Sequence, residues 1–353
     1  MIRFIVSILG LLVFQFQTVA QIFPGLDGAA LQMALVDNYK PDFVLSSSGS
    51  KDSLYAVVEN IDGKVECVYT GYQVTLDLNE DPSQFVFAQN LNQEHVFPRS
   101  QGVDNTPAEF DMHHLYPSRV DVNQDRGSLP FGESADNLTN KWFINTSTIG
   151  SIPSSNIDGY SELQENVTFE PREDRKGDIA RAMFYVYVMY NDLIDQEYFE
   201  SQAETLCDWH HMDPVDEREW NRNALVATFQ DDKPNPFILD CTLASRLFCS
   251  APTEPCMDYS VNTNELDWNN TFSITVLNNG NLAPQLHILN PSKTNLSIQI
   301  IDLNGRAGFN NQYLNHSEIH LIPNFDFQLT KGLYFVIVQN QIGQTKAAKL
   351  VIP

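Results

Sequence analysis

The sequence predicts an α+β chain with a small all-β sandwich at its C-terminal end. Three observations carry that expectation. A strand, a loop, a second strand and a short helix follow one another between residues 84 and 127. Apolar side chains then recur at helical spacing from Gly177 onward. Beyond residue 270 only short strand-like runs remain, set apart by turn residues.

Arg3, an apolar run over residues 4–14 and Thr18-Val19-Ala20 before Gln21 have the layout of a secretory signal peptide over 1–20, cleaved after Ala20. The run is shorter than the ~20 residues a spanning helix needs. No later stretch is longer, so the mature protein is expected to carry no transmembrane segment. Residues 21–60 mix short helical and loop signals around Pro24-Gly25 and residues 46–50. Residues 54–58, the turn pair Asp62-Gly63 and residues 65–69 read as a hairpin.

Residues 84–96 read as a strand that Pro98 ends, followed by a loop over 102–109. A second strand follows from Phe110 to Pro117. Ser118 is placed to cap a short helix over 119–126, which Gly127 stops. Residues 132–168 are polar and rich in Asn and Ser, and read as irregular surface. Ile179, Met183, Val186, Tyr187 and Tyr190 predict a helix over 177–198, and a further helix is expected over 213–229. The aromatic residues on the first of these helices read as core. The expected organisation is a catalytic domain over 21–250, a Pro- and Thr-rich linker over 251–270 and a β-sandwich over 271–353.

The chain has 353 residues and a formal charge of −24. Residues 21–258 hold 40 Asp and Glu against 15 Lys and Arg, while 259–353 hold five of each. A protein that held nucleic acid by phosphate neutralisation alone would be basic, so that class is excluded. All five cysteines lie beyond residue 20, four of them between 207 and 256. In an exported chain these predict structural disulfides, with three pairings open for the four. A zinc site built from Cys207, His210 and His211 is the metal-binding alternative, though the spacing fits no closed tetrahedral site.

The chemistry concentrates in two short stretches. Glu94-His95-Val96-Phe97-Pro98 offers a carboxylate beside an imidazole. Asn123 and Arg126, three residues apart, share one face of the predicted short helix. Phosphodiester hydrolysis needs an activated water, a cation to offset charge on phosphorus and help for the departing oxygen. His95 is the natural base near neutral pH. Glu94 and Asn123 are hard oxygen donors of the kind Mg²⁺ takes while keeping most of its waters. Arg126 would then lie near the phosphate. An ideal strand turns Glu94 and His95 to opposite faces, so the set requires the strand to end or distort there.

These stretches, with Asp111-x-His113-His114-Leu115-x-Pro117 and Val122-Asn123-x-x-Arg126-Gly127, resemble the endonuclease I family of secreted bacterial nucleases, part of the His-Me finger (ββα-metal) superfamily. The resemblance runs on through Phe169-Glu170-Pro171, Lys176 to Tyr185, Trp209-His210, Asp213-Pro214-Val215 and Asn235 to Ile238, and covers roughly residues 50–250. It implies His95 as general base and Glu94 and Asn123 as ligands of one divalent cation, Mg²⁺ with Mn²⁺ or Ca²⁺ as alternatives. It also implies DNA or RNA as substrate with little base preference, and 5′-phosphate ends. Arg126 and Arg181 are the candidate substrate contacts, with an ion pair as the structural alternative for Arg181. His113 and His114 are the candidate buttresses of the site. The chain departs from the family at Ser128, where Asn is usual, and at Asp231-Asp232-Lys233, where Gly-Asn-Arg is usual. Between His95 and Asp111 only Arg99 is present for the leaving group.

Leu289-Asn290-Pro291, the run from Ile298 through Gly305, Leu329-x-x-Gly332-Leu333-Tyr334-Phe335 and the closing Lys346 to Pro353 resemble the C-terminal sorting domain of type IX secretion. That resemblance implies the secretion machinery as a partner and a secreted or cell-surface location. The expected function is therefore that of a secreted metal-dependent endonuclease. The alternative is a non-catalytic surface-binding protein built on a degenerate nuclease fold.

Overall fold

The computed structural model describes residues 21–250 apart from 78, and beyond them residues 273–277, 285–290, 293–302, 307–316, 318–321, 329, 332–340 and 345–352. The predicted signal peptide and linker lie outside the described residues. Mixed helices and short sheets build the first part, and a separate small all-β unit follows it.

Helix α1 (Gly28–Tyr39) buries Leu31 and Leu35. Helix α2 (Ser47–Ser53) starts where the Ser46 side chain accepts a bond from the Gly49 amide, satisfying one free N–H of the first turn. It runs on into a wider turn at Leu54–Val58, all of it buried. The expected strand at 54–58 is thus helical, because a fully buried apolar run shows no period that separates the two states. Asp62 and Gly63 do form a turn with positive φ (52° and 78°). The strands that follow are β1 (Lys64–Glu66) and β2 (Gln73–Thr75), paired antiparallel. The N-terminal half of the strand expected at 84–96 is helix α3 (Pro82–Ala88), with Asp81 as cap and Pro82 at its first position. Only Leu91–His95 is strand, β3.

β3 pairs antiparallel with β4 (Leu115–Arg119), with Glu94 opposite Tyr116 and His95 opposite Leu115. Helix α4 (Val120–Arg126) follows directly, and Gly127 at φ 54° closes it. Ser118 does not cap this helix; its hydroxyl donates to the Arg119 carbonyl. Residues 132–168, expected to be irregular, hold most of a four-stranded antiparallel sheet of β5 (Lys141–Ile144), β6 (Ser147–Ile149), β7 (Ser161–Gln164) and β8 (Thr168–Glu170), in the order β6-β5-β7-β8. Strands of three or four residues between Asn-rich turns are too short to show a period.

The central helix α5 (Lys176–Met189) is buried along nearly its whole length. It stops well short of residue 198, and α6 (Gln196–Glu200) follows a break. Helix α7 (Ala203–Met212) was not expected from the sequence; α8 (Glu217–Phe229) fills most of the predicted second helix. Helices α9 (Pro236–Leu239) and α10 (Thr242–Leu247) complete this part. Two buried polar hubs seat the segment between β3 and β4 on the helical layer. Asp111 accepts from the hydroxyls of Tyr185 and Tyr190 at 2.8 Å each and from Gln230 at 2.8 Å. Arg222 donates to the carbonyls of Met112 and Leu115 and pairs with Glu59 at 2.6 Å. Cys207 and Cys249 form a disulfide, Cys241 is also disulfide-bonded and Cys67 is free and buried.

Among the described residues beyond 272, strands β9 (Ser273–Leu277), β10 (Gln285–Leu289), β11 (Leu296–Asp302), β12 (Ala307–Tyr313), β13 (Glu318–Leu321), β14 (Gly332–Asn340) and β15 (Thr345–Ile352) form two antiparallel sheets. Their orders are β13-β10-β9 and β12-β11-β14-β15. Alternate residues such as Leu286, Ile288, Ile298, Ile300, Val336 and Val338 fill one core. Among the described residues no helix is long and apolar enough to cross a membrane.

Candidate active site

The strand pair β3–β4 and helix α4 bring His95, Glu94, Asn123 and Arg126 into one ββα unit. Burial along β3 does not alternate: Leu91 and Glu94 are buried, with Asn92, Gln93 and His95 partly exposed. Glu94 is buried, while His95, the last residue of the strand, is partly exposed.

The His95 ring is fixed by the loop. Its Nε2 lies 3.0 Å from the Glu109 carbonyl, in the short 3-10 turn Pro107–Phe110. A carbonyl only accepts, so Nε2 carries the hydrogen and Nδ1 holds the free lone pair. Burial, then the neighbouring His114 and the charges of Arg99 and Lys51, push the imidazole down to about 3, against the bond to Glu109. The ring is therefore neutral throughout the physiological range.

Glu94 Oε1 accepts the Tyr69 hydroxyl at 2.6 Å and lies 3.3 Å from Arg126 Nη1. Burial raises its carboxyl above the usual range, although Arg126, the Tyr69 hydroxyl and the His95 backbone amide all pull it down. The Asn123 amide donates through Nδ2 to Asn92 Oδ1 (2.9 Å) and the Gln93 carbonyl (3.1 Å). Those two bonds use its hydrogens and assign its orientation, leaving Oδ1 as an acceptor.

Arg126 does not reach solvent. Its side chain is 1% exposed, donates to the carbonyls of His95 (3.1 Å) and Val96 (2.7 Å) and lies 4.5 Å from the Phe131 ring centre. Arg181 is fully buried too, gripping Glu219 with two bonds of 2.7 and 2.6 Å. Each guanidinium is spent on interior partners: for Arg181 this is the ion pair named as its alternative, and for Arg126 the expected substrate contact is corrected on this ground. Arg99 is half-exposed, and it pairs with Asp104 and with Glu109 at 2.9 Å. Ser128, at the family's Asn position, shares a 2.7 Å hydroxyl contact with Ser100.

His114 donates Nε2–H to the Ala108 carbonyl at 2.7 Å, and His113 reaches the Lys233 carbonyl at 2.8 Å. Both are buried, with Nδ1 atoms that have no partner. The zinc alternative fails on geometry. Cys207 is tied to Cys249, His210 points at the Cys241 carbonyl and Arg181, and His211 bonds the Cys207 carbonyl. Among the described residues, no three His, Cys, Asp or Glu side chains are grouped to hold a metal. One carboxylate with one amide oxygen is a sparser set than that.

Tyr69 and Glu109 were not singled out from the sequence. Tyr69 lies in the β1–β2 connection and Glu109 in the 3-10 turn Pro107–Phe110, 25 and 14 residues from the groups they hold, and no spacing rule points to them.

The Endonuclease I family model matches residues 40–241. An extracellular ribonuclease of Bacillus subtilis (strain 168) is 32% identical over 183 residues, covering 47% of this chain and 57% of that protein. An extracellular ribonuclease of Bacillus amyloliquefaciens is 32% identical over 162 residues, covering 42% and 50%. The chain thus spans about half the length of the curated relatives it matches. Among solved structures, a DUF3244 family protein with an immunoglobulin-like β-sandwich fold from Bacteroides vulgatus is 21% identical. The match covers 25% of this chain and 88% of that one, with a TM-score of 0.20.

Proposed function

This chain belongs to the endonuclease I family, and on that premise we propose that it is an exported, divalent-cation-dependent endonuclease. It cleaves phosphodiester bonds of DNA, RNA or both with little sequence preference. The unit β3–β4–α4 is read as a His-Me finger. The observation that carries the proposal is the His95 tautomer: Nε2 is anchored on Glu109, so Nδ1 is free to accept a proton.

The residues fit a hard cation. Glu94 is a buried carboxylate whose side-chain partners both engage Oε1, and the Asn123 oxygen is left over once its amide hydrogens are used. Glu94 and Asn123 would hold the ion, Mg²⁺ first, with Mn²⁺ or Ca²⁺ as alternatives. When bound, it supplies Lewis acidity toward a phosphoryl oxygen. His95 takes the proton of the attacking water at Nδ1 while Glu109 keeps the ring from turning. The water oxygen bonds to phosphorus as the P–O3′ bond breaks, the phosphate stays on the 5′ side, and O3′ leaves as a 3′-hydroxyl with a proton taken from solvent. Arg126 acts from inside, holding the Glu94 carboxylate and the His95 carbonyl on one guanidinium. His114 and His113 support the loop from below.

Export is proposed through the signal peptide at 1–20 and a type IX sorting domain at 271–353, giving a secreted or cell-surface enzyme. The relatives' names, extracellular ribonucleases, support both the location and a nucleic-acid substrate. The charge of −24 means that binding to the polyanion is weak and local.

The test is a metal-resolved assay. Purified mature chain is incubated with plasmid and with RNA in Mg²⁺, Mn²⁺, Ca²⁺ or chelator, beside His95→Ala. Cutting that needs a cation and drops by at least ~10²-fold in the variant supports the reading; full activity of His95→Ala sinks it. The inward Arg126 and Arg181 favour one second reading, a nucleic-acid-binding protein without catalysis. Retained DNA binding with no cutting in any metal would select that one.

A further inference from the structure

Tyr69 lies outside the ββα unit, in the connection between β1 and β2, yet its hydroxyl donates to Glu94 Oε1 at 2.6 Å. Arg126 Nη1 approaches the same oxygen at 3.3 Å. All three side chains are buried. The Tyr69 ring meets Phe169 of β8 edge-on, with centroids 4.7 Å apart, and its carbonyl accepts from Ser161 Oγ of β7 at 2.7 Å. The small sheet therefore holds the ring, and the ring holds one oxygen of the carboxylate. Both side-chain partners of the carboxylate thus engage the same oxygen, Oε1.

We infer that Tyr69 is a positioning residue for the cation site, holding Oε1 of Glu94 so that Oε2 would be the oxygen offered to an ion. The inference rests on Glu94 being a cation ligand, as proposed above. A one-oxygen grip suits an ion that keeps several of its waters. Partners that orient a ligand in this way typically change metal affinity by 10–100-fold when removed. The role differs from simple support of the fold, because it acts on the geometry of one ligand oxygen.

The test is Tyr69→Phe, which removes only the hydroxyl. Mn²⁺ alone is titrated calorimetrically into the mature chain, Tyr69→Phe and Glu94→Ala. Unfolding with and without Mn²⁺ is a second readout, since a bound ligand raises the melting temperature according to its affinity. The expected result is an Mn²⁺ dissociation constant about tenfold higher in Tyr69→Phe, with a smaller Mn²⁺-induced rise in melting temperature. The Mn²⁺ concentration for half-maximal cutting should rise in step, with kcat at saturation within about threefold. If Glu94→Ala loses Mn²⁺ while Tyr69→Phe titrates within twofold of the unsubstituted chain, the ligand assignment stands and this inference is overturned. If Glu94→Ala binds Mn²⁺ undiminished, the ion sits elsewhere and both fall. Should Tyr69→Phe not fold, Ser161→Ala frees the Tyr69 carbonyl but keeps the hydroxyl. Its Mn²⁺ affinity is expected two- to fivefold weaker, and an unchanged value overturns the inference.

Discussion

His95 and His114 hang from neighbouring carbonyls of one short turn. Their rings meet edge to face, with centroids 5.7 Å apart. His95 Nε2 donates to Glu109 and His114 Nε2 to Ala108, so Pro107–Phe110 sets both tautomers at once. His114 has no outlet to solvent and its pKa is lowered, chiefly by burial, so it carries no charge near neutrality. It bonds the same turn that holds the His95 ring.

His114→Ala should therefore act on His95 at one remove. Releasing Ala108 loosens the turn, and the lost ring leaves a cavity beside His95. The expected result is a 10–100-fold lower kcat with little change in KM for nucleic acid, and a stability loss of about 2–4 kcal/mol. Steady-state kinetics and urea unfolding on the same preparation check both. An unchanged kcat in the folded variant would reduce His114 to ordinary core.

The Arg181–Glu219 pair makes the opposite prediction. Both side chains are buried and joined by two short bonds. Glu219→Ala strands a buried guanidinium and should cost about 3–5 kcal/mol. KM for nucleic acid, measured on the folded fraction, should not move. A raised KM without loss of stability would return Arg181 to the substrate face.

The order strand, loop, strand, helix was legible because its punctuation is chemical. Pro98 lies just past β3, and Gly127 takes the positive φ that ends α4. What failed was decided by burial or by distant partners. Residues 54–58 look like a strand by their β-branched content, yet they prolong α2 inside the core. Residues 84–88 are helical because Asp81 caps the turn and Pro82 opens it, a start signal that the apolar Phe85-Val86-Phe87 run masks in the sequence. Asn123 and Arg126 do share a helix, as their spacing required. Spacing could not say that Arg126 meets Phe131, Glu94 and two carbonyls instead of solvent. Tyr69 reaches Glu94 only because the sheet β7–β8 places it there, a contact that no local pattern encodes.

The disulfide should matter for stability and not for the reaction. Cys207 and Cys249 are 42 residues apart, and closing a loop of that size stabilises by about 4 kcal/mol in the chain-entropy account. Cys207→Ala with Cys249→Ala is expected to lose about 2–4 kcal/mol in denaturant unfolding. Mn²⁺ affinity and kcat below the transition should stay within about twofold. A selective loss of metal binding would instead tie α7 to the site.

His210 should make the protein acid-sensitive in a way that a single variant isolates. Burial first, then the Arg181 charge, hold its imidazole down to about 3, against the bond to the Cys241 carbonyl. In the unfolded chain it titrates near 6.5. The folded pKa is depressed, so the unfolded state takes up a proton as pH falls below about 6.5 while the native state does not. The stability this neutral ring contributes is complete above that pH and is lost on the way down toward about 3. Glu162 and Glu170, both raised to about 7 mainly by burial, act in the opposite sense, so the total pH profile is a poor test. The difference between the unsubstituted protein and His210→Gln cancels those carboxyls. Between pH 7.5 and 5 that difference should shift against the unsubstituted protein by about 1.4 kcal/mol per pH unit once below about 6.5. Urea unfolding at half-unit intervals measures it, and a flat difference across that window would mean that the ring titrates in the fold as it does in the unfolded chain.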